Sequence, residues 1–300
     1  MVNRSRLQRV WLRKLAARVM LRTSVGYVAA SYTASRWLTR RALVKLTQTP
    51  GDFGLSWSPL KCKTEDGIRL AGWVAEPEQP RGTVALFHGL RGSRLRMLPR
   101  LTFLVQSGYR CVSFDHRAHG KSKGRNTSFG FYEARDVVAI RRLIQERWPH
   151  QPVAALGCSM GAAALCYAAE QVRDWQALIL EGLYSDVESA FQRRIGSSYP
   201  AWFLTLYPGI VRATERRLRV RMHDLAPAQQ IVKFNSIPIM FVAGYEDAFA
   251  PPADAERCRA RYAGAHDLWV VPDAGHSDMW EKGGEEYRRR VQEFLAKWMD

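Results

Sequence analysis

A short motif in the middle of the chain constrains its fold more than any other feature. Residues 153–171 read VAALGCSMGAAALCYAAEQ, which is an apolar run, a Gly-x-Ser-x-Gly turn and an alanine-rich stretch. The pattern predicts a buried strand, a sharp bend with Ser159 at its tip, and a helix. Gly157 and Gly161 leave room for backbone that packs closely on both sides of the bend. A hydroxyl projecting from such a bend can attack a substrate, and the helix N-terminus directs free N–H groups at developing negative charge.

The segments around this motif alternate between short apolar runs and helical patterns. Strands are predicted at 83–87, 109–114, 153–156, 177–182, 238–244 and 266–271, with helices near 95–107, 131–148, 252–262 and from 281. This alternation predicts an α/β fold with a mostly parallel, doubly wound sheet covered on both faces. Ahead of it, residues 55–77 predict an antiparallel hairpin with its turn at Glu65-Asp66-Gly67.

Residues 51–300 form the globular part of the chain, and one segment within it breaks this alternation. Residues 183–237 separate two predicted strands and contain a cluster of six aromatic side chains within 184–207 and an arginine-rich stretch at 212–221. Ordinary connections in such sheets are much shorter than this one. We therefore predict that about residues 183–237 form an inserted cap within a single domain.

The first 50 residues form a basic extension to that domain. They contain eleven Lys or Arg and no Asp or Glu, and so carry most of the net charge of +17. Four apolar residues recur there at a helical spacing: Leu7, Trp11, Leu15 and Val19. A basic helix with such a stripe predicts reversible binding to an anionic membrane surface. The alternatives are a helix packed on the domain or solvated, and a targeting or anchor segment, although the uncharged run 23–35 is too short to span a bilayer.

Composition also limits the expected partners. The chain has five cysteines with no CxxC pair and no metal-like spacing: Cys62, Cys111, Cys158, Cys166 and Cys258. They predict reduced core residues in a reducing compartment, hence a cytoplasmic protein, peripheral on the inner face of a membrane if the extension binds there. We expect no metal and no other cofactor. Nucleic-acid binding is not expected either, because the other 250 residues are nearly balanced, with 34 basic and 28 acidic groups.

A nucleophilic serine needs a base, a carboxylate that orients the base, and donors for the oxyanion. In an open parallel sheet these groups gather at the carboxyl ends of the strands. Asp247 follows the predicted strand at 238–244 and His276 follows the one at 266–271, so both lie near the carboxyl ends of strands. They are the best candidates for the acid and the base. Asp186, just after the strand at 177–182, is the alternative acid.

Four segments, taken together, resemble the α/β-hydrolase superfamily over roughly residues 55–300. They are HGLRGS after the strand at 83–87, DHRAHGKS after the next strand, GCSMG at the bend, and the pair GYEDAFAP and DAGH near the end. The histidines of the first two segments, His88, His116 and His119, are expected to support these loops rather than to react.

The resemblance assigns a role to each site residue. It implies Ser159 as the nucleophile, His276 as general base and then general acid, and Asp247 as the carboxylate that orients the histidine. It also implies that the backbone N–H groups of Leu90 and Met160 bind the oxyanion.

The same resemblance implies a class of reaction. A serine at the bend, where relatives that open epoxides or remove halide carry an aspartate, indicates acyl transfer to Ser159. The expected substrate is a small carboxylic ester or thioester, with an apolar acyl group favoured by the aromatic cap, and the reaction passes through an acyl-enzyme. The alternatives are a serine peptidase similar to prolyl oligopeptidases, and a non-catalytic membrane-surface protein on a hydrolase fold.

Overall fold

The computed structural model describes the backbone of residues 4–198 and 200–299 and, apart from residues 4–19, 21, 22 and 198, their side chains. Within this part of the chain eight strands form one sheet. They are β1 Trp57–Lys63, β2 Arg69–Ala75, β3 Thr83–Phe87, β4 Arg110–Phe114, β5 Val153–Cys158, β6 Ala177–Glu181, β7 Ile239–Gly244 and β8 His266–Val271. Their order across the sheet is β1-β2-β4-β3-β5-β6-β7-β8.

The sheet is parallel except at one edge. β1 and β2 form an antiparallel hairpin, and β2 is also antiparallel to β4. Every other neighbouring pair, from β4 to β8, is parallel. The predicted hairpin and the mostly parallel sheet are therefore confirmed, and the observed strand ends lie within two residues of the predicted ones.

Helices cover both faces of this sheet. They are α1 Arg4–Thr39, α2 Leu98–Gln106, α3 Ala134–Arg147, α4 Met160–Tyr167, α5 Val187–Ser198, α6 Tyr207–Leu218, α7 Pro227–Gln230, α8 Pro252–Arg261 and α9 Met279–Met299. Short 3₁₀ helices join some of them, at Pro50–Phe53, Arg94–Met97, Ala201–Leu206, Met222–Asp224 and Ile231–Phe234. The predicted helix near 95–107 is thus divided into a 3₁₀ turn and α2, with Pro99 in the first turn of α2.

The alternation of side chains along the central strands produces two hydrophobic cores. In β3, Ala85 and Phe87 pack with α3 and α4 on one face, and Val84 and Leu86 pack with α2 and α9 on the other. All five residues of this strand are buried. Both faces must be apolar because both are covered by helices, which explains why the strand reads as a continuous apolar run.

The segment for which the sequence predicts a cap lies between β6 and β7. It consists of α5, the 3₁₀ helix Ala201–Leu206, α6 and the short turns up to Phe234. Phe191, Ile195 and Ile210 form a small core of their own there, separate from the two cores of the sheet. Other residues of the segment, such as Val187 and Leu218, belong instead to one of the cores of the sheet.

α1 is longer than the helical pattern at 7–22 predicts and continues to Thr39. Its second half packs on α6, with Ser31 and Ser35 buried and the Thr214 hydroxyl donating to Ser35 Oγ at 2.9 Å. The expected membrane-binding stripe at residues 7, 11, 15 and 19 lies outside the described side chains. No helix in the described part of the chain combines the length and apolar character needed to cross a membrane.

Candidate active site

Ser159 occupies a strained position between β5 and α4. Its φ of 51° and ψ of −112° lie where residues other than glycine are rarely found. The bend can close this tightly because of its two glycines. A Cβ at Gly157 would lie 2.7 Å from the backbone nitrogen of Ala162, and one at Gly161 would collide with the carbonyl of Phe87. The sharp bend presents the serine hydroxyl to the cavities above the sheet.

A chain of hydrogen bonds joins Ser159 to the predicted base and acid. His276 Nε2 lies 2.8 Å from Ser159 Oγ, and His276 Nδ1 lies 2.6 Å from Asp247 Oδ2. The carboxylate is 2% exposed, and its other oxygen accepts the backbone N–H groups of Phe249 and Ala250 at 2.8 and 2.9 Å. Since the carboxylate accepts at Nδ1, the imidazole carries its proton there and offers the Nε2 lone pair to the hydroxyl. This geometry allows Nε2 to take the serine proton.

The alternative acid lies in a different place. Asp186 accepts the backbone N–H of Ser189 at 2.7 Å and the hydroxyl of Ser185 at 3.1 Å, at the N-terminus of α5. Carboxylates are favourable at that end of a helix. The acid that the structure brings to His276 is therefore Asp247.

The two residues expected to bind the oxyanion flank Ser159. Met160 is the first residue of α4, and N–H groups of a first helical turn have no partner within the helix. Leu90 lies in the loop after β3, and both residues line a cavity that also contains Ser159 and His276.

Buried histidines hold the loop that carries Leu90. The His88 ring accepts the backbone N–H of His116 at 3.0 Å through Nε2, and its Nδ1 donates to the carbonyl of Gly89 at 2.8 Å. His119 Nε2 accepts the backbone N–H of Arg91 at 3.1 Å. Burial lowers the pKa of both His88 and His119, so these rings stay neutral and keep a lone pair for those bonds. Their contacts support the loop, and the ring that bonds to Ser159 Oγ is that of His276.

Sequence reasoning missed a charged network beside the bend. Glu181, the last residue of β6, pairs with Arg100 of α2 through bonds of 3.0 and 2.6 Å and accepts the hydroxyl of Tyr287. The thiol of Cys158 donates to the same carboxylate at 3.2 Å. Burial, with this carboxylate close by, raises the pKa of Cys158, which therefore remains a thiol. A glutamate that ends an otherwise apolar strand was the available signal.

Two cavities meet at Ser159 and His276. The smaller has a volume of about 70 Å³ and an apolar wall that includes Phe129, Tyr184, Val187, Phe191 and Phe249. The larger has a volume of about 460 Å³ and a wall rich in polar and charged groups. A scissile bond placed at Ser159 would therefore have a different environment on each side.

No group of three His, Cys, Asp or Glu side chains suited to a metal ion occurs within residues 4–198 and 200–299, as far as their side chains are described. The five cysteines are free thiols.

The strand order, the serine bend after β5, the acid after β7 and the histidine after β8 together define the α/β-hydrolase fold. Within that fold, the chain belongs to the serine aminopeptidase S33 family, whose model matches residues 78–230, just over half of its length. The expected superfamily and fold class are thereby confirmed, and the chain is an α/β hydrolase.

Relatives and solved structures agree with this assignment. The chain is 27% identical over 239 residues to the uncharacterized protein YqkD of Bacillus subtilis, covering 78% of this chain and 77% of that protein. A Pyrococcus furiosus esterase superposes with a TM-score of 0.76 at 24% identity, covering 88% of this chain and 99% of the esterase. A thermophilic esterase from Thermogutta terrifontis superposes with a TM-score of 0.60 at 20% identity, over 81% of this chain and all of that one. At these identities the two esterase structures support the fold.

Proposed function

We propose that this protein is a serine hydrolase that cleaves the carboxylic ester or thioester bond of a small substrate with an apolar acyl group. The observation that carries the proposal is the continuous hydrogen-bond chain from Asp247 through His276 to Ser159 Oγ, with separations of 2.6 and 2.8 Å. A hydroxyl becomes a good nucleophile when an oriented imidazole can remove its proton as it attacks.

In the proposed first half-reaction, Ser159 Oγ forms a bond to the acyl carbon while its proton moves to His276 Nε2. The carbonyl oxygen becomes an oxyanion that accepts the N–H groups of Leu90 and Met160, each worth roughly 3–4 kcal/mol in such sites. The bond to the leaving oxygen or sulfur then breaks, and His276 returns the proton to it. Asp247 stays ionised throughout and stabilises the imidazolium.

In the second half-reaction a water molecule replaces the leaving group. His276 removes one of its protons as the water oxygen bonds to the acyl carbon, and the ester bond to Ser159 breaks. The serine regains its proton, and the acyl group leaves as a carboxylic acid.

The smaller cavity supports an apolar acyl group of limited length. Apart from Arg194 at the border with the larger cavity, its wall is aromatic and aliphatic and offers little compensation for the lost hydration of a charged or strongly polar group. With a volume of about 70 Å³, it holds only a few heavy atoms, because one water needs roughly 15 Å³ on the same scale. Short acyl chains are therefore the preferred substrates.

A chain-length series of acyl esters and the matching thioesters tests this proposal. We expect kcat/KM to be highest for short chains and to fall towards long ones, with activity abolished in Ser159→Ala. Activity that persists in Ser159→Ala would refute the nucleophile. A protein that hydrolyses no member of the series would refute the reaction class, and a non-catalytic protein on a hydrolase fold would then be the better explanation.

A serine peptidase is the second candidate, and the description of the family as serine aminopeptidases favours it. The same three side chains would attack an amide, with His276 protonating the departing amine. Aminoacyl anilides assayed beside the esters separate the two candidates. Ser159-dependent cleavage of the anilides with a kcat/KM above that of the esters would establish the peptidase.

We also propose that the N-terminal extension holds the protein on an anionic membrane surface at the inner face of a cytoplasmic membrane. The described part of α1 supports this with exposed apolar side chains at Met20, Val25 and Val28. Trp202 and Leu204, in the 3₁₀ helix that contacts α1, are exposed as well, at 64% and 42%. Apolar side chains next to a basic helix are typical of surfaces that enter the headgroup layer.

Co-sedimentation with anionic vesicles tests the membrane proposal in the full chain, in which α1 stays packed on α6. The variant Val25→Glu/Val28→Glu should lose binding at low salt, because two carboxylates replace apolar contacts. The matched control Ala30→Glu/Thr33→Glu adds the same charge at exposed positions of α1 outside the apolar set. Equal binding by both variants, or no binding by the unaltered protein, would refute the proposed surface.

A further inference from the structure

The larger cavity at Ser159 has a wall with several guanidinium groups. Arg91 follows Leu90 in the loop after β3, Arg96 belongs to the 3₁₀ helix before α2, and Arg194 belongs to α5. Three separate segments therefore bring positive charge to one cavity. The same wall has two carboxylates, Glu181 and Glu281, and Glu181 is already paired with Arg100. Glu281 alone does not balance the three positive charges.

Arg194 lies beside the base. Its guanidinium carbon is 4.8 Å from the centre of the Phe249 ring, and that ring packs nearly perpendicular to the His276 ring at a centroid distance of 5.4 Å. Arg194 also lines both cavities, so its charge lies where the two sides of a bound substrate would separate. Stacking on an aromatic ring holds the guanidinium in place while leaving its N–H groups available to a ligand.

The pairing of these arginines differs from that of the buried ones. Arg94, Arg100 and Arg117 each form an ion pair with a buried carboxylate. Arg96 and Arg194, by contrast, form no ion pair with any Asp or Glu whose side chain is described. Both are exposed at the cavity wall. Guanidinium groups in this state bind carboxylates and phosphates well, because both ligands match the planar fork of donors.

We propose that the larger cavity binds an anionic group, a carboxylate or a phosphate, carried by the leaving alcohol or thiol of the substrate. This inference rests on the proposed function and adds the class of its leaving group. The assignment of sides follows from desolvation. An anion deep in the smaller cavity would lose its hydration against an aromatic and aliphatic wall whose one cationic side chain, Arg194, also lines the larger cavity. The acyl group therefore occupies the smaller cavity, and the charged part extends towards Arg96 and Arg194.

A set of matched esters tests the inference. All carry the same short acyl group, butyryl, on a nitrophenol whose ring bears a carboxylate, a phosphate, or a neutral carboxamide. The measured quantity is the ratio of kcat/KM for each anionic ester to kcat/KM for the neutral one, in the unaltered protein and in Arg96→Gln and Arg194→Gln. Taking a ratio within each protein cancels any general loss of activity. Arg142→Gln, at an exposed position of α3 away from both cavities, removes the same charge as a matched control.

We expect the anionic esters to be preferred and the ratio to fall about tenfold in each cavity variant, as for the loss of one charge-assisted hydrogen bond. The loss should appear mainly as a higher KM, and added salt should lower the ratio in the unaltered protein. The carboxylate and phosphate esters distinguish the two possible anions. The ratio should not change in Arg142→Gln.

The outcomes separate this inference from the proposed function. If the neutral ester is hydrolysed in a Ser159-dependent way while the anionic esters are not preferred, or while all three variants keep the same preference, the inference is overturned. Either result leaves the proposed function intact. A fall of the same size in Arg142→Gln also overturns it, because net charge rather than the cavity would then set the preference. Failure to hydrolyse even the neutral ester refutes the proposed function itself.

Discussion

Removing the charge of Glu181 is expected to destabilise the whole domain. Its carboxylate is 3% exposed and accepts hydrogen bonds from Arg100, Tyr287 and Cys158. Burial lowers the pKa of Arg100 and the Glu181 charge raises it, with a net upward shift, so the guanidinium stays charged. Deleting one partner of a buried pair leaves the other charge without compensation, which costs about 3–5 kcal/mol. The free energy of unfolding of an ordinary domain is about 5–15 kcal/mol, so such a loss is a large fraction of it.

A double-mutant cycle measures this coupling. Glu181→Met and Arg100→Met, alone and together, are unfolded in urea and followed by tryptophan fluorescence. Each single variant should lose about 3–5 kcal/mol, whereas the double variant should lose less than the sum by about 3 kcal/mol or more, because no buried charge then remains unpaired. Glu256→Gln, which breaks an exposed ion pair with Arg259, serves as the control and should have little effect. Additive losses in the cycle would refute the reasoning.

Three further predictions concern the bend and its supports. Asp247→Asn should lower kcat by about 10³–10⁴-fold with an unchanged circular dichroism spectrum, because the partner that keeps the proton of His276 on Nδ1 is lost. Near-normal turnover in this variant, together with a large loss in Asp186→Asn, would contradict the assignment of Asp247 as the acid. Burial lowers the pKa of His88 below its ordinary 6.5, so below that pH the unfolded chain alone binds the proton. As the pH decreases below 6.5, the free energy of unfolding should therefore decrease by up to about 1.4 kcal/mol per pH unit for this residue, measured by thermal unfolding. His88→Gln should make the free energy of unfolding less dependent on pH in this range. Gly161→Ala should lower Tm strongly, because its Cβ would meet backbone, whereas Gly196→Ala, with open space around it, should not.

The sequence predicts the sheet well because its central strands are buried on both faces. Residues 84–87 are apolar throughout, and the observed β3 has the predicted bounds, Thr83–Phe87. The order of the parallel strands also places the site residues close together. Asp247 and His276 each follow a parallel strand, and the carboxyl ends of such strands meet at one edge of the sheet. The distances in the site therefore follow from element order and a few short motifs.

Two features could not be predicted, for physical reasons. The pair Arg100–Glu181 joins residues 81 positions apart, and no local pattern reports a partner at that separation. The packing of α1 on α6 was equally hard to predict, because the buried face of the helix mixes small hydroxyl residues, Ser31 and Ser35, with apolar ones such as Leu38. Apolar periodicity therefore indicates the helix but leaves its packed face and its end at Thr39 undetermined.

Covalent labelling tests most directly whether Ser159 is an activated nucleophile. A fluorophosphonate probe reacts with a serine hydroxyl only when a base removes its proton, as His276 is placed to do at 2.8 Å. Incubation of the full chain with the probe, followed by peptide mapping, should place a single phosphonyl group on Ser159. Ser159→Ala should not be labelled, and His276→Gln should be labelled far more slowly. Labelling of another serine, or undiminished labelling of Ser159→Ala, would contradict the account.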